Sequence, residues 1–300
     1  MDGILLVDKP SGITSNYLVQ KVKKHIQSLI GKTVKVGHTG TLDFFATGLM
    51  VLTIGKATRF TEYFQGLDKE YVAKGYLGKI TDTYDIQGEV VEEKDCNIGK
   101  EKLKNIILSF KKEYLQYPPP YSAKRVNGKR AYQLAKKGIT PNLKPKKVKI
   151  YDIQIINIDL PIFEIKIFCS SGTYIRSLIK EIGDLAGCGA YTVALKRTKI
   201  DSFSIDMAVS LDELLEKDLE AIKRLIIPLD KSLPFIPQIT LDEGFDKRFI
   251  TGQRFKIPFD TFGIVKVFSK DGKFLGLGKV NEEKLLKPEK VIVHRLLFSV

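Results

Sequence analysis

A chain of 300 residues with 43% hydrophobic residues can bury a substantial core, and its length favours one large domain or a large domain with a small companion. The formal net charge of +14 and the pI near 9.4 favour polyanionic partners, since lysine and arginine replace the counterions of phosphates. No apolar run approaches the roughly 20 residues of a membrane span, and residues 1–4 lack signal-peptide character, so we expect a soluble, cytoplasmic protein without a membrane partner.

Apolar periodicity and turn-forming residues predict a mixture of strands and helices rather than a strict alternation. In chain order these are a strand over 4–7, a turn over 8–12, a helix from Thr14 or Ser15 to about 29, a glycine- and threonine-rich loop over 36–48, a strand over 49–54, a helix over 57–64, strands over 71–77 and 88–92, a helix over 100–110, strands over 148–158 and 163–169, a helix over 173–185 and a strand over 190–200. The mixture predicts an α+β fold with a mixed, mainly antiparallel central sheet flanked by helices.

Between residues 117 and 147 the composition becomes basic, which indicates an inserted lobe. Tyr121 and Tyr132 are interleaved with cations, of which we single out Lys124, Lys144, Lys146 and Lys147. A solvated loop with a surface helix is the ordinary interpretation of such a composition. Aromatic and basic residues together are also typical of RNA-binding surfaces, where bases stack and phosphates are neutralised.

The pattern changes again near residue 231. A proline-rich stretch over 232–237 is followed by short strands with glycine turns over 239–300. We therefore predict a first domain over residues 1–230, with the insert at about 117–147, and a small, mostly β domain over 231–300.

Cysteine and histidine are too sparse and scattered for a metal centre or a disulfide framework. The cysteines are Cys96, Cys169 and Cys188, which show no CxxC spacing, so we expect three reduced thiols. The histidines are His25, His38 and His294, and no HExxH motif is present. We therefore expect chemistry by ordinary side chains, without a metal.

Asp43 is the candidate active carboxylate. It ends the segment 36–43 (VGHTGTLD), whose glycines and threonines permit tight turns and local hydroxyl bonds. Taken alone, an aspartate in such a loop is more often a turn or cap residue, so the segment is not specific by itself.

Residues 40–48 (GTLDFFATG) resemble the signature loop of the TruB family of tRNA pseudouridine synthases, in which this aspartate is indispensable. Further segments resemble the family in the same order: 8–15 (DKPSGITS), 69–71 (KEY), 119–124 (PPYSAK) and 172–178 (GTYIRSL). The resemblance covers about residues 3–200, and the remainder resembles the PUA RNA-binding domain of these enzymes. Two departures are Phe44, where a proline is common, and Ser171, where a lysine is frequent.

The resemblance implies a pseudouridine synthase fold and a cofactor-free isomerisation in which uracil leaves ribose, rotates and rejoins through carbon. It implies that Asp43 is the essential carboxylate, Arg176 its paired cation and Tyr71 the aromatic residue that stacks on a flipped base. It also implies roles in the pocket and in RNA binding for His38, Tyr174, Leu195, Lys9, Tyr121, Lys124, Lys144, Lys146 and Lys147. From spacing alone, Arg176 could instead be a helix-surface residue and Tyr71 a core residue.

The substrate implied by the resemblance is the T-loop uridine, uridine-55, of tRNA, bound through its T stem-loop by a stand-alone monomer. One alternative is the guide-RNA-dependent relative of the family, which usually has extra N-terminal sequence and lacks the basic lobe. A second alternative is a non-catalytic, tRNA-binding folding chaperone. The covalent route also stays open: the carboxylate could attack the ribose, attack the base or help to remove a ribose proton.

Overall fold

The computed structural model describes residues 1–122, 124–126 and 128–292. Residues 293–300 of the predicted C-terminal domain, including His294, lie outside the described residues, as does Ala123 of the segment 119–124. No helix within the described ranges is long and apolar enough to cross a membrane.

The α-helices are α1 Ser15–Ile30, α2 Thr61–Gln65, α3 Lys100–Ser109, α4 Ala131–Ala135, α5 Ile175–Ala186, α6 Leu211–Glu216, α7 Leu219–Leu225 and α8 Phe245–Ile250. Short 3-10 helices span Gly55–Phe60 and Ile205–Met207. The strands are β1 Gly3–Lys9, β2 Val36–His38, β3 Thr47–Ile54, β4 Lys69–Leu77, β5 Lys79–Thr81, β6 Val90–Glu93, β7 Glu113–Gln116, β8 Arg125–Val126, β9 Lys129–Arg130, β10 Lys146–Asp159, β11 Ile162–Cys169, β12 Ala190–Ile200, β13 Phe203–Ser204, β14 Val209–Ser210, β15 Ile227–Pro228, β16 Gln238–Leu241, β17 Phe255–Lys256, β18 Gly263–Ser269, β19 Phe274–Val280 and β20 Leu285–Val291.

A large sheet organises the first part of the chain. Its main path is β14-β1-β3-β12-β4-β11-β10-β7, and β2, β13 and β15 pair with strands of this path. The pairs β1–β14 and β3–β12 are parallel, whereas the other pairs of this path are antiparallel. The predicted mixed, mainly antiparallel sheet in an α+β fold is thus confirmed.

A glycine permits the parallel junction of β3 with β12 at the centre of this sheet. Gly48 pairs with Arg197 and has a φ of +105°, and a Cβ at this position would clash with the backbone of Arg197. A residue with a side chain would therefore be both strained and obstructed here. The junction places the loop that precedes β3 beside β12.

Two amphipathic helices, α1 and α5, pack against strands of the large sheet. In α1, the Thr14 side chain accepts a hydrogen bond from the Tyr17 amide, and Gly31 ends the helix in the left-handed conformation. The buried side of α5 includes Leu178, Ile179 and Ile182, so that packing fixes this helix beside β12. Consequently, the first turn of α5 holds its polar residues at a fixed position.

The basic region that was predicted as an insert lies between β7 and β10. It contains the hairpin of β8 and β9 followed by helix α4. Strand β10 returns to pair with both β7 and β11, which attaches this region to one edge of the large sheet.

The C-terminal part forms a second sheet in the order β16-β18-β19-β20-β17, with α8 packed against it. Its own core includes Phe249, Val265 and Leu275. A separate apolar cluster joins Leu233 and Leu277 of this part to residues of β1 and β3. The C-terminal part therefore rests on the first through a shared hydrophobic contact.

The expectation of three reduced thiols is wrong. Cys96 and Cys188 form a disulfide across a sequence separation of 92 residues, with their Cα atoms 5.2 Å apart, while Cys169 is free and buried. The segment after β6 passes the turn that follows α5, so the two cysteines meet in space. The separation of two cysteines along the sequence does not show whether they lie close together in the folded protein.

The local predictions differ from the structure in smaller ways. The helix expected over 57–64 is divided into the 3-10 helix Gly55–Phe60 and the short α2, and the loop 36–48 begins with strand β2. The C-terminal part, predicted as strands and turns, also contains α8. These differences concern short elements, for which pairing partners decide the outcome.

Candidate active site

The loop between β2 and β3 is fixed by side chains from the β1–α1 segment. The Ser15 hydroxyl donates to the Leu42 carbonyl at 2.9 Å and accepts from its amide at 2.8 Å. The ammonium of Lys9, which is fully buried, donates to the carbonyl of Ala46 at 2.6 Å and to that of Pro10 at 3.0 Å. The segments 8–15 and 40–48 therefore form one hydrogen-bonded unit that presents Asp43.

Burial has a cost for Lys9 because its charged form loses water. Desolvation lowers the pKa of this amine to about 8, while the negative charge of Asp43 acts in the opposite sense. Carbonyl acceptors replace part of the lost hydration.

Asp43 is held by Arg176 from the first turn of α5. The Arg176 Nε and Nη2 atoms donate to the two carboxylate oxygens of Asp43 at 2.9 and 3.1 Å. The Asp43 side chain keeps 36% exposure, whereas that of Arg176 has 5%. This two-point contact fixes the direction of the carboxylate while leaving it open to a ligand.

A second carboxylate, Asp85, shares the same guanidinium. Arg176 Nη1 donates to Asp85 Oδ2 at 2.9 Å and to the Thr83 carbonyl at 2.8 Å, and Nη2 donates to the Tyr121 carbonyl at 2.9 Å. The Asp85 side chain is only 5% exposed. Arg176 is therefore neutralised on two sides and cannot turn away from Asp43 without leaving a buried acid unpaired.

The pKa of Asp43 reflects opposing influences. Burial raises the pKa of this carboxyl above its ordinary value, the charge and hydrogen bonds of Arg176 act to lower it, and the charge of Asp85 acts to raise it. The pKa of this carboxyl is thus set by burial and by two charged neighbours, as is common for groups that take part in catalysis.

Asp43 opens into a cavity of about 280 Å³. Three of the predicted pocket residues, Tyr71, Tyr174 and Leu195, line this cavity together with Asp43 and Arg176. Tyr71 is 9% exposed, and burial raises the pKa of its phenol. A planar ring could lie between these side chains with one edge near the carboxylate.

Tyr174 is positioned by its backbone. Gln116 at the end of β7 accepts from the Tyr174 amide at 2.8 Å and donates to the Tyr174 carbonyl at 3.1 Å. Tyr174 is also the residue that immediately precedes α5. The strand that leads into the basic insert and the helix that carries Arg176 are therefore joined at the cavity.

His38 lies at the end of β2 and is absent from the lining of the cavity, although the next residue, Thr39, belongs to it. Its Nδ1 atom is buried and has no hydrogen-bond partner within the described residues. Burial, with a smaller contribution from Arg197, lowers the pKa of this imidazole. The structure thus brings His38 to the rim of the site rather than into it.

The predicted lysines of the insert are distributed along its return to the sheet. Lys146 donates to the Ser171 carbonyl at 3.0 Å, Lys147 lies 2.6 Å from Glu113, and Lys144 is exposed. Lys124 is half-buried in the first part of the insert. The Tyr121 carbonyl accepts a hydrogen bond from Arg176, which links the start of the insert to the cation that holds Asp43.

Sequence patterns did not indicate roles for Asp85, Arg197 and Lys69. Asp85 forms an isolated β-bridge with Thr192 between turn residues, and in the sequence it resembles an ordinary turn aspartate. Arg197 occupies a strand whose alternation suggested no special role. Lys69 belongs to the segment 69–71, and its place in that segment was a signal that could have been used. All three are buried, and Lys69 and Arg197 line the cavity.

Within residues 1–122, 124–126 and 128–292, no group of three or more histidine, cysteine, aspartate or glutamate side chains is arranged to hold a metal ion.

Comparison with known families accounts for nearly the whole chain. Residues 26–175 match the TruB family pseudouridylate synthase N-terminal domain, and residues 176–234 match the tRNA pseudouridylate synthase B C-terminal domain. Residues 237–292 match the pseudouridine synthase II TruB C-terminal family.

Curated relatives are similar over their full length. The chain is 41% identical over 296 residues to a protein of Aquifex aeolicus named tRNA pseudouridine synthase B, which covers 98% of this chain and 100% of the relative. It is 37% identical over 312 residues to a protein of the same name from Thermotoga maritima, covering 99% and 98% of the two chains.

Among solved structures, the archaeal box H/ACA sRNP Nop10-Cbf5 complex contains a similar chain. The TM-score is 0.74 at 23% identity, and the match covers 99% of this chain and 88% of the other. At this identity the similarity shows a shared fold.

Proposed function

The chain belongs to the TruB family of pseudouridine synthases, and from this premise we propose that it converts the T-loop uridine of tRNA, uridine-55, to pseudouridine. The observation that carries the proposal is the Asp43 carboxylate, fixed by Arg176 and open to a cavity beside Tyr71. The curated relatives named tRNA pseudouridine synthase B support tRNA as the substrate class. We propose that the protein acts in the cytoplasm as a monomer.

The cavity requires the target nucleotide to leave its helix or loop. Asp43 lies at the wall of a concave site, where a stacked base could not reach it. A flipped uracil would lie against Tyr71, with Leu195 and Tyr174 on the surrounding walls. The predicted insert cations would contact phosphates of the same RNA arm, and these contacts position the RNA without reading its bases.

Asp43 can act by any of the three routes that the sequence left open. Arg176 engages both of its oxygens, so the carboxylate enters the reaction already oriented. It could form a bond to the ribose C1′ atom, add to C6 of the ring, or accept the C2′ proton. Each route needs the ionised form of Asp43, which Arg176 favours.

The deciding experiment incubates the purified protein with unmodified tRNA in the absence of any other RNA and maps pseudouridine along the product. We expect one modified position, in the T loop. Asp43→Asn should abolish the product while tRNA affinity stays within a few fold of the parent.

The same experiment distinguishes the alternatives. Product that forms only when a guide RNA is added would identify the guide-dependent reaction. Tight tRNA binding without product in the parent protein would identify a folding chaperone. Product at a position outside the T loop would contradict the proposed target but not the type of reaction.

A further inference from the structure

Arg197 is a buried arginine that the roles assigned above do not use. It is 2% exposed and is among the largest fully buried side chains of the described residues. Taking a guanidinium out of water is unfavourable unless charge or hydrogen bonds compensate for the lost hydration. Such a residue is expected to have a specific role.

Arg197 donates hydrogen bonds to backbone carbonyls, but its positive charge is not balanced by an ion pair within the described residues. Its Nε donates to the Leu49 carbonyl at 2.8 Å, and its Nη2 donates to the Gly40 carbonyl at 3.1 Å. In the part of the chain that the structure describes, no carboxylate lies within ion-pairing distance of Arg197. Arg176, by contrast, is paired with both Asp43 and Asp85.

The side chain of Arg197 is directed at the active site by its strand. Arg197 pairs with Tyr71 across β12 and β4, next to an irregularity in the register of β12, and both residues line the cavity. Bulges of this kind redirect side chains near active sites. Gly40, whose carbonyl Arg197 holds, is three residues before Asp43, so one guanidinium contacts the catalytic loop and faces the tyrosine.

The positive charge of Arg197 affects the pKa of several neighbouring groups. It acts to lower the pKa of the Tyr71 phenol, against the larger effect of burial, and it interacts with that phenol by hydrogen bonding. It also contributes to lowering the pKa of His38 and of Lys69, in each case after desolvation. The side of the cavity formed by Arg197 therefore carries a positive charge that is not paired with a carboxylate among the described residues.

The reaction creates negative charge on the uracil ring by every route. If the N1–C1′ bond breaks first, its electron pair leaves with uracil as an anion, while C1′ is captured by Asp43 or C2′ gives up a proton that is later returned. If Asp43 instead adds to C6, the ring becomes an enolate. In the end C5 bonds to C1′, any bond from Asp43 to C1′ or C6 breaks to regenerate the carboxylate, the C5 proton is lost and N1 gains a proton, so electrons and protons balance.

We propose that Arg197 is a positioning residue that fixes the Gly40 carbonyl and the Tyr71 side chain, and that its uncompensated charge stabilises the negative charge of the uracil ring during transfer. Fixed charges act most strongly where charge develops in a water-poor cavity. The inference rests on the proposed function, because it requires a uridine bound against Tyr71.

The test compares two T-arm stem-loops that carry uridine or 5-fluorouridine at the target position, under single-turnover conditions, and measures the rate at which the starting nucleoside is lost from each. Loss of the starting nucleoside is the common readout because C5 of 5-fluorouridine carries fluorine in place of the proton that uridine loses, so its product is not pseudouridine. Fluorine stabilises negative charge on the ring, so the fluorinated substrate depends less on a protein cation. Arg197→Gln should lower the rate with uridine by about 100-fold or more. The loss with 5-fluorouridine should be at least about ten times smaller, with RNA affinity within a few fold of the parent.

Lys9→Met is the matched control, because Lys9 is also a buried cation that holds carbonyls of the catalytic loop but does not line the cavity. It should slow both substrates by the same factor. Arg197→Lys, which keeps the charge, should restore the ratio of the two rates towards that of the parent. Equal losses on both substrates for Arg197→Gln would overturn the proposal.

If Arg197→Gln does not fold, Tyr71→Phe provides the second test, because it removes only the hydroxyl that faces Arg197. This variant must lose more rate with uridine than with 5-fluorouridine, and equal losses would contradict the proposal. A parent protein that converts neither stem-loop would instead contradict the proposed function.

Discussion

Asp43 and Asp85 share one guanidinium, and this arrangement links the acidity of Asp43 to a residue outside the cavity. Because the proposed reaction requires ionised Asp43, we expect activity to fall as the pH drops through the pKa of this carboxyl, which burial raises. Asp85→Asn removes a negative charge that raises this pKa further. We therefore expect the acid limb of the single-turnover pH–rate profile to move to lower pH, even though the maximal rate falls.

Glu181→Gln is a suitable control for this experiment, since Glu181 is a half-buried carboxylate of α5 that bonds to Tyr114 rather than to Arg176. Its profile should keep the parent's acid limb. A shift of the limb to higher pH in Asp85→Asn would show that the acidity of Asp43 does not depend on Asp85 as described.

Asp43 should also reduce stability at neutral pH. Because its folded-state pKa is raised, the folded protein binds this proton more tightly than the unfolded chain does. The resulting stabilisation is present at acidic pH and is lost as the pH rises through the raised pKa. Asp43→Asn should thus lower activity by at least about a thousand-fold without lowering the melting temperature at pH 7.

Thermal unfolding of this variant and the parent at pH 7 and at pH 4 checks the prediction. The melting temperature of Asp43→Asn minus that of the parent should be larger at pH 7 than at pH 4. The reverse order would mean that ionised Asp43 stabilises the fold.

The sequence predicted the residues that carry recognisable motifs and missed those whose role depends on distant partners. Asp43, Arg176 and Tyr71 could be named from short segments, and the structure brings them together at one cavity. Asp85 and Arg197 could not, because their significance comes from contacts with Arg176 and Gly40, which are 91 and 157 residues away along the chain. Local patterns report burial and turns but not such pairings.

At the level of elements, the return of the insert through Lys144, Lys146 and Lys147 lies at the β7–β10 edge of the sheet, beside Ser171. If these lysines contact phosphates, replacing all three by alanine should weaken tRNA binding. The slope of log affinity against log salt should decrease by about 2 to 3, which corresponds to about 0.7–0.9 per phosphate contact. Affinity measured at several salt concentrations provides the slope.

The control replaces Lys217, Lys223 and Arg224, which lie in or next to α7. This helix packs on α1, and the strands beside it, β14 and β15, pair with β1 at the opposite edge of the sheet. For this control variant, the slope of log affinity against log salt should match that of the parent. An equal decrease in both triple variants would show a general effect of net charge rather than a contact of the insert.

The disulfide between Cys96 and Cys188 ties the segment after β6 to the turn after α5. Closing a loop of this length should stabilise the fold by on the order of 4 kcal/mol, by restricting the unfolded chain. Alkylation in denaturant should therefore label one thiol, Cys169, without reductant and three with it. Mass spectrometry counts the labels, and thermal unfolding with and without reductant measures the stabilisation.

Cys96→Ser should make the melting temperature insensitive to reductant, while Cys169→Ser should keep the sensitivity. Three labels without reductant would contradict the disulfide. The sequence suggested reduced thiols here because no spacing rule connects cysteines on separate elements. Strands and helices with strong apolar periodicity, such as α1 and β12, were by contrast predicted to within a few residues.

At the scale of the whole molecule, the C-terminal part and the catalytic sheet share an apolar cluster that includes Leu233 and Leu277. Removing the residues after Asp230 should therefore destabilise the catalytic part by at least about 3 kcal/mol, since several buried side chains lose their partners. The temperature at which pseudouridine-forming activity is lost on heating reports on this part specifically.

Two leucines of β19 provide a matched pair for the same measurement. Leu277 belongs to the shared cluster, whereas Leu275 packs in the core of the C-terminal part. Leu277→Ala should lower the inactivation temperature more than Leu275→Ala does. Equal effects would mean that the two parts unfold as one unit.

The parallel pairing of β3 with β12 has a consequence for protein synthesis. Asp43 is made early, but the arginines that orient it and its loop emerge from the ribosome only after more than 130 further residues, since Arg176 is 133 positions beyond Asp43. A nascent or prematurely terminated polypeptide that ends before β12 would contain Asp43 without Arg197 and without the parallel strand that holds the end of its loop. Such a fragment could not modify RNA, so competence arises only once translation has passed the end of this strand.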